Sequence, residues 1–278
     1  MFPEAGLLSS ALPPLLSDYA TRRMRDRGVR VLPSHQIKSA AVLENGQLEL
    51  RMGDLTNVLK KESASNERAS MKKGSAKLDE VNGGILADSK MHVKDDIWAA
   101  GDVCSYDDPV IGKRRRVQHW EHAQITGRVA GENMTGGNKT FFHEGAFVSI
   151  FGGGDQISAV GDVDSSLDTI SYLIEGTGPD EARDGDAPMK SVVFYLANCR
   201  HSSERRIVGI LFYNLYEGLD LEMARKIIKD GKEISNQETF ADLARLFGII
   251  HDDLPEVKEE KELIEPEKEV LVEKESKV

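Results

Sequence analysis

Two near-continuous apolar runs constrain this chain most: Ser191-Val192-Val193-Phe194-Tyr195-Leu196 and Ile207-Val208-Gly209-Ile210-Leu211-Phe212-Tyr213. Both have strand length and are rich in β-branched and aromatic residues, so they are most simply antiparallel strands joined through residues 198–205. Amphipathic helices are predicted over residues 219–230 and 238–247, with Gly231 and Gly248 as stops. Further strands are predicted over 141–149, 157–163 and 171–174, and the Gly/Asp/Pro-rich residues 175–188 read as a mobile loop. The carboxyl-terminal part is therefore α+β, with an antiparallel sheet. From residue 252 onward the chain is nearly all Glu, Lys and Pro, and a disordered acidic and Lys-rich tail is expected.

Upstream, residues 9–27 read as an amphipathic helix that stops at Gly28. Val29-Arg30-Val31-Leu32 is predicted as a strand. Residues 36–42 and 47–52 alternate around Glu44-Asn45-Gly46, and Asn-Gly between two strands is a strong hairpin signal. The pattern collapses over residues 57–77, which read as a polar, low-complexity insert. Gln118 opens a helix that reaches Met134, with Ala123, Ile125, Val129 and Ala130 turned inward.

The formal net charge of −11 disfavours broad electrostatic binding to nucleic acid or anionic membranes. One basic run, Lys113-Arg114-Arg115-Arg116, reads as a solvated turn, a dimer contact or a phosphate contact. Two cysteines, Cys104 and Cys199, form no disulfide framework and no metal spacing. His119 and His122 lie one helical turn apart, but a zinc site needs a third ligand, and Glu121 falls on a different face. No apolar run reaches the ~20 residues that span a bilayer. No signal or transit segment is visible, so a cytoplasmic location is expected for the chain expressed as it stands.

One stretch speaks to function. Ile97-Trp98-Ala99-Ala100-Gly101-Asp102-Val103 reads as a short buried strand that ends at a glycine and a carboxylate. Such a carboxylate at the carboxyl end of a sheet would accept hydrogen bonds from ligand hydroxyls. Gly-Asp is equally a turn signal, so a strand-end turn stays open as the alternative.

Five stretches together resemble the carboxyl-terminal half of the apoptosis-inducing factor family of flavoproteins. They are Met1-Phe2-Pro3-Glu4, the Ile97 stretch above, Arg114-Arg115-Arg116-Val117-Gln118-His119-Trp120-Glu121-His122-Ala123, Gly127-Arg128-Val129-Ala130-Gly131-Glu132-Asn133-Met134-Thr135-Gly136, and Ala224-Arg225-Lys226-Ile227-Ile228-Lys229-Asp230-Gly231. The resemblance implies FAD and NAD(H) as cofactors, oxidation of NAD(P)H, dimerisation on reduction, and a role in programmed cell death. It implies a mitochondrial protein that reaches the nucleus on release. By resemblance, Gly101 and Asp102 face the flavin ribityl chain. His119 and Trp120 start a helix whose N-terminus faces the flavin ring, where unpaired N–H groups can stabilise negative charge. Gln118 stands near the nicotinamide where the family has a glutamate. Glu4 matches a ribose-binding carboxylate of the NAD site, and Asn214 falls at a proposed second nicotinamide contact. Val148, Ser158 and Ser10 stand where the family has a tryptophan, a glutamate and a lysine.

The two G-x-G-x-x-G phosphate loops of that family do not occur in this chain. The resemblance then implies a truncated or alternatively spliced member. Residues 1–94 are expected to be a partial NAD-binding domain, an α/β remnant, and residues 95–137 a partial FAD-binding domain. Residues 138–253 are expected to form the carboxyl-terminal, dimerisation-type domain, and 254–278 a tail. A homodimer or a missing amino-terminal half is the expected partner. The alternative is a non-enzymatic module that contacts protein or DNA.

Overall fold

The computed structural model describes residues 6–54, 76–151, 154–174, 189–198, 205–215, 221–231, 233–234, 237–249 and 258–262. Helix α1 (Pro14–Asp26) opens on a proline, where a missing N–H costs the helix nothing, and ends at Gly28 with φ 83°. Strands β1 (His35–Val42) and β2 (Leu48–Asp54) form the expected hairpin. A bulge after Ile37 keeps Ile37, Ala40 and Val42 opposite Met52, Leu50 and Leu48. Val29-Arg30-Val31-Leu32 is not a strand, because no edge among the described residues offers it a ladder. The insert over residues 57–77 falls mostly outside the described residues, as does the loop over 175–188.

A second group of elements begins at β3 (Ile85–Leu86). It continues with β4 (His92–Lys94), β5 (Ile97–Trp98), β6 (Cys104–Asp108), β7 (Lys113–Arg115) and α2 (Trp120–Met134). β3 and β6 pair in parallel, β6 and β7 antiparallel, and β4 and β5 form a small hairpin. Ala87, Met91, Ala99, Cys104, Tyr106, Val129, Ala130 and Phe141 are the core of this group.

The carboxyl-terminal sheet is built from β8 (Ala146–Phe151), β9 (Asp155–Gly161), β10 (Asp168–Ile174), β11 (Lys190–Asn198) and β12 (Arg205–Tyr213). Helix α3 (Leu221–Asp230), strand β13 (Glu233–Ile234), helix α4 (Gln237–Leu246) and strand β14 (Lys258–Glu262) complete it. The strand order is β14-β10-β11-β12-β9-β8, antiparallel throughout, with β13 on β12. The two apolar runs are indeed adjacent antiparallel strands. Their continuity has a physical cause, because neighbouring side chains point to opposite faces and both faces are covered. Phe194 and Phe212 meet Phe240 and Phe247 on the α4 side, at 5.7 and 4.8 Å between ring centres. The adjacent Tyr195 and Tyr213 meet the α1 side: the Tyr195 hydroxyl donates to the Ala11 carbonyl (2.5 Å), and Tyr213 packs edge-on to Tyr19 at 5.9 Å.

Two expectations need correction. Helix α1 does not belong to a unit covering residues 1–94: Leu12, Leu16, Tyr19 and Ala20 lie in one hydrophobic core with β9–β12, α3 and α4. Residues 85–93 pack instead with the group that follows them, so the boundary at 94 does not separate cores. Within the stretch expected as a tail, residues 258–262 add an edge strand to β10, and the rest lies outside the described residues. Ladder hydrogen bonds need no apolar side chains, and charged residues suit an exposed edge.

Candidate functional site

Ile97 and Trp98 form only a two-residue hairpin strand, with Ile97 exposed by 37%, rather than a buried one. Gly101 and Asp102 follow it in a short 3-10 turn and precede β6, so they sit at the amino end of a parallel strand, not its carboxyl end. The turn is fixed by α2. Gly101 has φ 70°, and a Cβ there would lie 3.3 Å from that of Ala123. Its N–H donates to Thr126 Oγ1 (3.0 Å), and that hydroxyl donates to the His122 carbonyl (2.6 Å). Glycine is thus required both by its backbone conformation and by the close approach of the helix. Arg116 Nε donates to the Asp102 carbonyl (2.7 Å) and leaves the Asp102 side chain exposed.

Helix α2 begins at Trp120 with His119 as an extended N-cap, whose side chain makes no capping hydrogen bond. The first closure within the helix is Ala123 N–H to the His119 carbonyl. The first-turn N–H groups ahead of it have no acceptor within the helix, which makes this end receptive to negative charge. The His119 ring stacks on Phe147 at 4.6 Å and 12°. Burial and the nearby Arg115 lower its pKa, against the opposing pull of Asp102 and Glu121. Trp120 is 76% exposed and Gln118 is exposed beside it. Gly101, Asp102, Gln118, His119 and Trp120 are therefore brought together at one helix start. His122 points the other way, between Tyr106 and Phe141, and burial pushes its pKa down to about 4.

The other predicted residues are placed elsewhere. Asn214 is buried at the end of β12: Nδ2 donates to Asp155 Oδ1 (3.2 Å) and the Met189 carbonyl (3.1 Å), and Oδ1 accepts the Gln156 N–H (2.9 Å). Its amide serves the carboxyl-terminal core, not the α2 surface. Glu4 and Cys199 lie outside the described residues. Cys104 is buried, and burial pushes its thiol up to about 12.

The basic run is neither a solvated turn nor an open phosphate contact. Arg114 donates to the Ala87 and Ser105 carbonyls, and Arg116 to those of Asp102 and Asn82. Arg115 is largely enclosed among Asp108 (2.8 Å), Glu144 (3.6 Å) and Asp162 (3.7 Å), and donates to the Gly161 carbonyl (2.9 Å). Sequence reasoning missed this cluster, as well as Thr126 and the Phe147 stack, because nearly all of these partners stand more than 20 positions apart and leave no local pattern.

Residues 130–187 match the profile described as apoptosis-inducing factor, mitochondrion-associated, C-term. A putative apoptosis-inducing factor 1, mitochondrial, from Drosophila melanogaster is 31% identical over 90% of this chain and 38% of its own length. Apoptosis-inducing factor 1, mitochondrial, from Dictyostelium discoideum is 30% identical over 86% of this chain and 46% of its own length. This chain thus spans less than half the length of these relatives. Among solved structures, a FAD-dependent pyridine nucleotide-disulphide oxidoreductase from Desulfovibrio vulgaris covers 89% of this chain over 62% of its own, with TM-score 0.56 and 18% identity. That likeness shows the fold, while in sequence the chain is similar to apoptosis-inducing factors over most of its own length and matches their carboxyl-terminal profile over residues 130–187.

Proposed function

We propose that this chain contributes one half of a flavin site to a FAD-dependent NAD(P)H oxidoreductase of the apoptosis-inducing factor type. The observation that carries the reading is the start of α2, with His119 and Trp120, beside the exposed carboxylate of Asp102. A flavin held there would supply two-electron transfer from a reduced nicotinamide. The side chains fit its ring and ribityl end: a free carboxylate for sugar hydroxyls, an exposed indole for a planar ring, and helix N–H groups for developing negative charge. Lowering of the His119 pKa keeps that imidazole uncharged near neutrality, so the helix start itself supplies the positive field.

The pyrophosphate end is a different matter. Its recognition needs several converging backbone N–H groups, and a lone carboxylate repels it. No glycine-rich phosphate loop occurs in this sequence. In this reading Glu4 and Gln118 belong to the nicotinamide side, and a role for Asn214 there requires its buried amide to be released. Redox-linked dimerisation, a mitochondrial site of action and a part in cell death belong to the same proposal. Titration with riboflavin, followed by flavin fluorescence, tests it. Asp102→Ala should weaken binding by about 1 kcal/mol for each lost hydroxyl contact, or roughly fivefold. Equal affinity in the variant would remove Asp102 from the site.

A second reading, a non-enzymatic interaction module, is supported by the β1–β2 hairpin. Ile37, Val42, Leu48, Leu50 and Met52 on one of its faces are all 39% or more exposed.

A further inference from the structure

The buried charges around Arg115 do not balance. Asp108, Glu144 and Asp162 all lie within 4 Å of one guanidinium, and among the described residues only Asp162 has a second cation, Lys113. Asp108 is well served: its Oδ1 accepts the N–H groups of Val110 (2.9 Å) and Ile111 (3.0 Å), and its Oδ2 accepts the Tyr106 hydroxyl (3.3 Å). Glu144 is not. It is 5% exposed, it has the longer 3.6 Å contact with Arg115, and its Oε1 finds no donor among the described residues. A buried carboxylate with one oxygen unserved, beside two other carboxylates, is strongly disfavoured against the neutral acid. Burial first, then Asp108, raises the Glu144 pKa to about 8.

Other charged groups do not relieve it. From α3, Arg225 is directed to the Glu144 backbone carbonyl (2.8 Å) and to Glu121 of α2 (3.1 Å). Lys226 and Lys229 line the pocket of about 430 Å³ beside Glu144 together with Glu222 and Asp230, and among the described residues neither lysine forms an ion pair with the Glu144 carboxyl. His143, on its own segment, is turned to Glu121 at 3.4 Å.

The position of Glu144 gives its proton a consequence. Three residues further on, Phe147 carries the ring that stacks on His119 at the start of α2. The intervening Ala146 N–H is tied to Glu121 (2.7 Å), so the segment is short and held on both sides. We propose that Glu144 is a positioning residue whose uncharged carboxyl holds residues 144–147 against the Arg115 cluster and so keeps Phe147 on His119, and whose ionisation releases that stack. The effect on a flavin rests on the reading above; the stack does not.

NMR of the 278-residue chain without any flavin tests this. The His119 ring proton is assigned by its loss in His119→Gln. A phenyl ring stacked at 4.6 Å shifts it upfield. That shift should persist below pH 7 and collapse through about pH 8, clear of the His119 titration below 6.5. In Glu144→Gln the upfield position should hold to pH 9.5. In Phe147→Leu, which keeps Glu144, it should be absent at every pH. An unchanged shift in the wild-type chain between pH 7 and 9.5 would overturn the proposal. So would the same collapse in Glu144→Gln, or an upfield shift that survives in Phe147→Leu. A chain that fails to bind riboflavin would contradict the flavin reading and leave these three results as they are.

Discussion

Gly101 shows how much a single residue position can fix. Its φ of 70° strains any L side chain, and Ala123 of α2 closes the space above it. Gly101→Ala should therefore cost on the order of 1–3 kcal/mol, read as a lower denaturant midpoint at unchanged m-value. Arg115→Met should cost more, about 3–5 kcal/mol, because it leaves Asp108 and Asp162 buried beside each other without their shared cation. Glu144 acts in the opposite sense. Its folded pKa of about 8 exceeds the ordinary 4.5, so between these values the folded chain holds a proton that the unfolded chain has lost. Stability should fall as pH rises from about 4.5 to about 8, by up to ~1.4 kcal/mol per pH unit, and level off above. Glu144→Gln should remove that slope; a slope unchanged in the variant, measured by urea unfolding at pH 5, 6.5 and 8.5, would contradict the assignment. Gly101 was legible as a turn glycine, but the buried charge cluster was not readable in the sequence. Arg115 stands in a run of four basic residues, and nothing local separates the enclosed one from its neighbours.

Elements were more readable than residues. The hairpin at Asn45-Gly46, the helix after Gln118 and the paired runs around Val192 and Ile210 all stand where turn chemistry and periodicity put them. Reading failed where tertiary partners decide. The Ile97 strand is only two residues long, because the chain is drawn off at Gly101 to meet α2. Strand β14 escaped notice because Lys258–Glu262 carries no apolar signal, and its five-residue ladder with β10 is a backbone affair. A chain ending at residue 257 would lose that ladder and expose the edge of β10. Its thermal midpoint should drop by several degrees, and an unchanged midpoint would show that β14 adds nothing.

At the scale of the whole molecule, two hydrophobic cores are stapled by arginines. Arg115 reaches from β7 to the end of β9, and Arg206 of β12 donates to the Val110 and Ile111 carbonyls. Gly161 and Gly209 face each other at that crossing, where a Cβ on either would strike backbone. The hairpin β1–β2 stands apart, with its apolar face in solvent, and a hairpin alone is marginally stable in water. Self-association through that face is expected at micromolar concentration. A charged pair in place of Val42 and Leu48, which are cross-strand partners, should shift sedimentation toward the monomer. A compact monomer before the substitution would contradict this.

On the proposed reading, the start of α2 and Asp102 form the ring-and-ribityl half of a flavin site, and no glycine-rich loop in this sequence serves the pyrophosphate half. Parallel fluorescence titrations with riboflavin and FAD test it most directly. If the claim holds, both bind more weakly than micromolar and within about tenfold of each other, a difference under ~1.4 kcal/mol, because the pyrophosphate and adenosine gain nothing. FAD binding at micromolar affinity or tighter, and a hundredfold or more above riboflavin, would contradict it.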